Sequence, residues 1–165
     1  YSSNFLTGEF FMNVGDIAPD FELDSQFGTF TLSQFKGSKN VMLVFYPLDF
    51  TPTWSKEMPD IEKNIDAFKA EDTQVLSISV DSKYCHENWA TSIGGISYPL
   101  LADFHPKGAV ADKFGLYLSD NGITDRATVI IDKQGIVQYI HSVGVPGERK
   151  AEELLAECKK VNAGN

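Results

Sequence analysis

The stretch FYPLDFTPTWSKEMPD, residues 45–60, holds the densest set of groups able to do chemistry. Pro47 closes an apolar run, Thr51 and Thr53 offer hydroxyls ahead of a helical pattern, and Glu57 falls within that pattern's first turns. A helix that starts where a central strand ends points free N–H groups and its positive dipole end at the junction, which suits an anion or a thiolate. On spacing alone the same residues fit a strand terminator at Pro47 and an N-cap at Thr53. Arg126, in ITDRATVII, fits by itself a surface ion-pair partner. Cys85 and Cys158 are the only thiols. Cys85 opens a helical pattern, where its pKa would be lowered, and Cys158 lies on an apolar stripe, as inert core cysteines do. His86, His105 and His141 fall on different segments without ligand spacing, so no metal is expected. There is no GxGxxG and no phosphate loop, so no nucleotide cofactor is expected either.

The elements that must position these groups follow from periodicity. FELDSQFGTFTL (21–32) alternates about Gln26-Phe27-Gly28 and predicts a hairpin. VMLVFYP (41–47) is a continuous β-prone run, the pattern of a strand buried on both faces. Met58, Ile61, Ile65 and Phe68 predict one amphipathic helix over 54–69. QVLSISV (74–80) reads as a second buried strand, and helices are expected over 83–92 and, opened by a proline, over 106–114. ATVIID (127–132) and IVQYIHSV (136–143) flank the turn Lys133-Gln134-Gly135. Ala151, Leu154, Leu155, Cys158 and Val161 line one stripe of a final helix. Glu148, Glu152, Glu153 and Glu157 with Lys150, Lys159 and Lys160 read as its solvated face, paired at i,i+4. The order implies an α/β fold of thioredoxin-like type: a central mixed β-sheet flanked by helices on both faces, with an N-terminal β-hairpin.

Composition bounds the function. A chain of 165 residues, 42% hydrophobic and 22% charged, has the make-up of an ordinary globular domain, which excludes disordered and collagen-like classes. No apolar run approaches the ~20 residues that span a bilayer. Fourteen basic against 23 acidic residues give a net charge of −9, which argues against nucleic-acid and membrane-surface partners. Two cysteines make no disulfide framework and point to a reducing, cytoplasmic compartment. Residues 1–11 lack the features of a secretory signal, and Met12 reads as a natural start. They are taken as a foreign remnant or a flexible extension, and residues 12–165 as one domain.

The junction resembles the peroxiredoxin family, thiol peroxidases of the alkyl hydroperoxide reductase and thiol-specific antioxidant type. The family pattern is Pro-x-x-x-Thr-x-x-Cys followed by a Glu three residues on, and Pro47, Thr51 and Glu57 match it. VGDIAPDFEL, SISVDSKYCHENW, YPLLAD and DRATVIIDKQGIV extend the resemblance over residues 13 to 150. It implies roles for single residues. Arg126 matches the arginine beside the reactive sulfur, stabilising a thiolate and bonding peroxide oxygens. Thr51 aligns nucleophile and substrate, Pro47 excludes water, and His86 and Trp89 pack near the pocket. The departure is at the peroxidatic position, which is Trp54. Indole is no nucleophile and Thr53 and Ser55 are poor ones, so the chain as written is expected not to turn over peroxide.

The retained Thr51, Glu57 and Arg126 favour a deliberate replacement at Trp54 over a natural pseudoenzyme. The resemblance implies reduction of hydrogen peroxide and organic hydroperoxides, a thioredoxin-like thiol donor, and a homodimer, with larger rings in some members. Cys85 is a candidate resolving cysteine, with a lone structural thiol or a one-cysteine mechanism as the alternatives, and Pro59 occupies the early position some members use. The competing reading is a non-catalytic scaffold with a chaperone or redox-signalling role. A thioredoxin-type disulfide reductase is excluded, because TPTWSKE has no Cys-x-x-Cys. Trp54 is expected to fill or cover a partly open peroxide pocket near Pro47, Thr51 and Arg126, with the 51–57 turn folded.

Overall fold

A computed structural model describes residues 12–164. The proposed boundary segment, residues 1–11, lies outside the described residues. The elements in chain order are β1 (Glu22–Ser25), β2 (Gly28–Thr31), a 3-10 turn (Leu32–Phe35), β3 (Asn40–Phe45), α1 (Pro52–Lys63), α2 (Ile65–Ala70), β4 (Thr73–Ser79) and α3 (Lys83–Ser92). There follow β5 (Leu100–Ala102), α4 (Ala109–Lys113), β6 (Tyr117–Leu118), β7 (Ile123–Thr124), β8 (Ala127–Ile131), β9 (Val137–Ser142) and α5 (Ala151–Ala163). Among these no helix is long and apolar enough to cross a membrane.

The central sheet runs β5-β4-β3-β8-β9, with β3, β4 and β5 parallel and β8 and β9 antiparallel to their neighbours. Every residue of β3 is buried, as its uninterrupted apolar run requires. Its side chains alternate between two cores. Val41, Leu43 and Phe45 join the core under the N-terminal hairpin and α4, where Phe45 meets Phe114 at 5.5 Å between ring centroids. Met42, Val44 and Tyr46 join the core covered by α1, α2, α3 and α5, which holds Trp54, Met58, Ile61, Phe68 and Leu154. Each such seated side chain contributes about 1.5–3 kcal/mol of apolar burial. Cys158 is in this second core, its thiol 3.7 Å from the Met42 sulfur and pushed up to about 12 by burial.

The mixed sheet, both hairpins and the final helix appear as expected. Gly28 (φ 108°) and Gly135 (φ 85°) take the left-handed turn positions that a side chain would strain. Four expectations are corrected. The helix read over 54–69 starts at Pro52 and breaks at Asn64. Asn64 donates its side-chain amide to the Asp60 carbonyl at 2.9 Å, taking the acceptor its own N–H would use in a continuous helix, and that N–H turns to Ile61 instead. The helix read over 106–114 shrinks to α4, because Gly108 adopts φ 71° and the Asp103 carboxylate takes up the Val110 and Ala111 N–H groups at 3.1 and 2.9 Å. Leu100–Ala102 is a strand that periodicity missed, being only three residues long. The charged face of α5 holds little pairing. Glu148 and Lys150 precede the helix, and among the described residues of that cluster only Lys160 and Glu157 pair, at i,i+3 and 3.1 Å.

The hairpin is tied to the sheet by one side chain. Gln26, in the β1–β2 turn, donates to the Tyr98 carbonyl at 2.9 Å and accepts from the Leu100 N–H at 2.7 Å, so its amide acts as an extra peptide beside β5. Leu100 is fully buried and has no water to turn to. Gln26→Ala should therefore lower unfolding free energy by about 1–3 kcal/mol, the cost of a stranded backbone pair. Urea denaturation checks it, and a loss under about 0.3 kcal/mol would show that the clasp carries nothing.

Candidate functional site

Strand β3 delivers Tyr46 to the sheet's carboxyl edge, its N–H still bonded to the Ile78 carbonyl at 3.1 Å. Pro47 then ends the pairing. The next four residues reverse the chain into α1, and their geometry is held from outside. The Asp49 N–H donates to Asp81 Oδ2 at 2.8 Å, and Phe50, at a left-handed φ of 63°, lays its ring against Trp89 with centroids 4.6 Å apart. Thr51 is the N-cap of α1 and Pro52 its first residue, so Thr53 lies within the first turn and is not the cap that spacing suggested. The Thr51 hydroxyl makes no cap bond; it donates to the Leu48 carbonyl at 2.9 Å.

Trp54 points from this first turn onto Tyr46. The two rings stack with centroids 3.9 Å apart and planes 11° from parallel, and Trp54 is 0% exposed. On the ring's other neighbour, the Arg149 guanidinium carbon sits 5.9 Å from the centroid, in cation–π range. The indole Nε1 has no hydrogen-bond partner among the described residues. The ring is thus seated in the core. It fills its space under α1, one of the two placements expected, with the 51–57 turn folded and no open mouth beside it. Its charged neighbour is Arg149 where Arg126 was expected.

Glu57, one turn further along α1, is 1% exposed and gathers the site's cations. Its Oε1 accepts from Arg126 Nη1 at 2.5 Å and from Arg149 Nη2 at 3.2 Å. Its Oε2 accepts from the Arg149 backbone N–H at 2.7 Å and from Arg149 Nε at 2.9 Å. The remaining guanidinium donors go to carbonyls and a hydroxyl: Arg126 Nε to Val145, and Arg149 Nη1 to Ala127 and Thr128. Burial pushes the Arg149 pKa down, and Glu57 works against that shift. Two fixed guanidiniums against one carboxylate leave one uncompensated positive charge beside position 54.

A second polar group lies behind Tyr46. Its hydroxyl donates to Asp49 Oδ1 at 2.5 Å, and His86 Nδ1 lies 2.7 Å from Asp49 Oδ2. His86 Nε2 faces the Leu101 carbonyl at 3.1 Å; a carbonyl only accepts, so this nitrogen carries hydrogen. Asp81 accepts from the Ser79 hydroxyl at 2.6 Å and from the Cys85 thiol at 3.8 Å. One ligand atom from each of Asp49, Asp81 and Cys85 lies within 4.8 Å of the others. Each is engaged in these internal bonds, and a metal would have to displace them. The Cys85 thiol is not lowered by its helix start. Burial, and then the negative charges of Asp49 and Asp81, push it up to about 12.

The structure thus brings together Pro47, Thr51, Trp54 and Glu57 at one junction and joins Arg126 to them through Glu57. His86 and Trp89 reach it from α3 through Asp49 and Phe50. Sequence reasoning missed three residues. Tyr46 and Asp49 stood in the matched letters FYPLDFT without an assigned role. Arg149, between Glu148 and Lys150, looks like part of a solvated charge run.

Comparison with known proteins gives this geometry its context. The AhpC/TSA family pattern matches residues 14–140. Alkyl hydroperoxide reductase E of Mycobacterium tuberculosis is 38% identical over 148 residues, covering 89% of this chain and 95% of that protein. The chloroplastic 2-Cys peroxiredoxin BAS1 of Spinacia oleracea is 36% identical over 144 residues, which cover 80% of this chain and 54% of that protein. The reduced 2-Cys peroxiredoxin of Plasmodium vivax superposes with a TM-score of 0.86 at 34% identity, over 92% of this chain and 83% of that one. Mycobacterium tuberculosis AhpC, at 23% identity and a TM-score of 0.83, shares the fold. With the thioredoxin-like sheet, the Pro47–Thr51–Glu57 junction and these relatives in agreement, the chain belongs to the AhpC/TSA family, the peroxiredoxins.

Proposed function

We propose that this chain is a peroxiredoxin scaffold built to reduce hydrogen peroxide and organic hydroperoxides at a cysteine, and that Trp54, at the peroxidatic position, silences it. The uncompensated cation carries this reading. Glu57 is shared by both guanidiniums, so one net positive charge is left over. The Arg149 guanidinium faces only the indole on the side of position 54, where a thiolate would bring full opposite charge. The family's thiol peroxidases supply the substrate class, and a thioredoxin-type protein is the proposed electron donor. A cytoplasmic setting fits the two unpaired thiols.

A homodimer is supported by β9, which pairs with β8 on one side. Past Val137, whose backbone bonds residues 15 and 16, its other edge has no strand among the described residues, whereas the opposite edge, β5, is flanked by the hairpin. Exposed Leu48 and Phe50 beside the junction, with Tyr84 on α3, offer apolar surface for larger rings. The competing scaffold reading draws on the complete seating of Trp54, which leaves a stably folded junction with no vacancy.

Trp54→Cys separates the two readings. The restored chain should consume peroxide with a thiol donor, and adding Arg126→Ala should lower that rate at least tenfold, about 1.4 kcal/mol of transition-state stabilisation. Arg126 is the right residue to remove, because Arg149 still pairs with Glu57 and only the excess charge is lost. A folded Trp54→Cys chain without peroxidase activity would favour the scaffold.

The role of Cys85 as resolver meets an obstacle in its protonation. With its pKa near 12 against an ordinary 9.0, its thiolate fraction at neutral pH falls by about a thousandfold. Alkylation of Cys85 by iodoacetamide at neutral pH should run at least a hundredfold slower than that of a free cysteine peptide, as followed by mass spectrometry. In peroxide-treated Trp54→Cys, a 54–85 disulfide should form only together with local unwinding of α1, since the bond needs Cα atoms within roughly 7 Å. Ordinary alkylation rates would show that the Asp81 contact is not held in solution.

A further inference from the structure

The Tyr46–Trp54 stack is the tightest ring pair among the described residues, and its two members differ in one respect that matters for oxidation. Removing one electron from an aromatic side chain makes its N–H or O–H strongly acidic, so a lasting oxidised state needs a base in place to take the proton. Trp54 has none: its Nε1 is buried without a partner, and Arg149 stands over its face, so an indole radical cation would be held against a second cation. Tyr46 has one. Its hydroxyl already donates to Asp49 at 2.5 Å, and the other oxygen of that carboxylate lies 2.7 Å from His86 Nδ1.

We propose that Tyr46 is a one-electron redox site, at which an oxidising radical withdraws an electron from the Tyr46–Trp54 stack while the phenol proton passes to Asp49. The product is a neutral tyrosyl radical at Tyr46, hydrogen-bonded to a protonated Asp49. With an organic peroxyl radical as oxidant, the electron converts it to a hydroperoxide anion, which takes a proton from water. A one-electron donor of the ascorbate class reverses the step, the proton returning from Asp49 to the phenol oxygen.

Two further observations support the assignment, beside the Arg149 charge already named. The Tyr46 hydroxyl is held well above the usual tyrosine range, first by burial and then by Asp49, so its proton does not leave for water ahead of the electron. The Arg149 charge raises the cost of a hole on Trp54 and leaves Tyr46 as the place where it settles. Both rings are 0% exposed, which keeps the radical from coupling with a second tyrosyl, as exposed Tyr84 radicals can. This activity needs no cysteine at position 54 and is independent of the peroxidase reading.

The test is photo-oxidation of the unaltered chain by ruthenium tris-bipyridine with persulfate, read by electron paramagnetic resonance. Exposed tyrosines should give short-lived radicals in every variant, and the unaltered chain should add a long-lived neutral tyrosyl signal. Tyr46→Phe, which keeps the stacked ring, should reduce that persistent signal at least tenfold. Asp49→Asn still accepts the phenol hydrogen bond yet is no base, and should shorten the radical's lifetime at least tenfold. An undiminished persistent tyrosyl signal in Tyr46→Phe, or a persistent tryptophanyl spectrum in the unaltered chain, would overturn the assignment. Should Tyr46→Phe not fold by near-ultraviolet circular dichroism, the Asp49→Asn lifetime decides alone.

Discussion

The buried carboxylate of Glu57 is the constraint on which the site depends. It belongs to α1, yet its four hydrogen bonds go to the residue before β8 and to the residue two before α5. Three stretches far apart in sequence are thereby fixed to within hydrogen-bond tolerance. One turn along the same helix, Asp60 accepts from the Ala151 N–H at 2.8 Å and caps the start of α5. Charge-assisted bonds of this kind are worth about 1.5–3 kcal/mol each, but stripping water from the ions takes back a comparable amount. What the cluster supplies above all is position. Removing Arg126 leaves Glu57 paired, whereas removing Glu57 would bury two like charges side by side.

That arrangement explains why Trp54 fits the site in shape and not in charge. Indole stacks on Tyr46 and fills the space under α1 completely. Its attraction to the Arg149 guanidinium is a cation–π contact, about 0.5–2 kcal/mol. A full negative charge at about 4 Å from a cation would gain about 4 kcal/mol at an effective dielectric of 20. The surplus positive charge is therefore only partly used by the residue that sits there. The same surplus decides which of the two stacked rings can hold an electron hole.

The fold was largely legible because its governing signals are local. VMLVFYP has the pattern of a strand covered on both faces, and the glycine turns marked both hairpins. Pro47, Thr51, Glu57 and Arg126 stood out through the family resemblance; by itself Arg126 read as a surface ion-pair partner, whereas it is buried against Glu57. Arg149 was hidden, because nothing in GERK separates an arginine that folds inward from the lysine and glutamate beside it, both of which stay exposed. The Cys85 pKa was misread for a related reason. Position at a helix start lowers a thiol, but burial, and then the charges of Asp49 and Asp81 on the loops after β3 and β4, push this one up. The break at Asn64 turns on one side-chain amide competing with the backbone for the Asp60 carbonyl, a contest that periodicity does not register. Tertiary placement of charge, more than secondary structure, is what periodicity leaves out.

The alternation of β3 between two cores also acts as a check on assembly. A strand with one solvent face can slip its register by a residue and lose one set of contacts. In β3 both faces are packed, so a slip exchanges the two cores' contents at once. Tyr46 would then carry its hydroxyl toward Phe21 and Phe114, away from Asp49, and Val41, Leu43 and Phe45 would face the core under α1. Misregistered chains thus lose twice, once in packing and once in a stranded phenol. Error rejection in folding is built into the same residue that stacks on position 54.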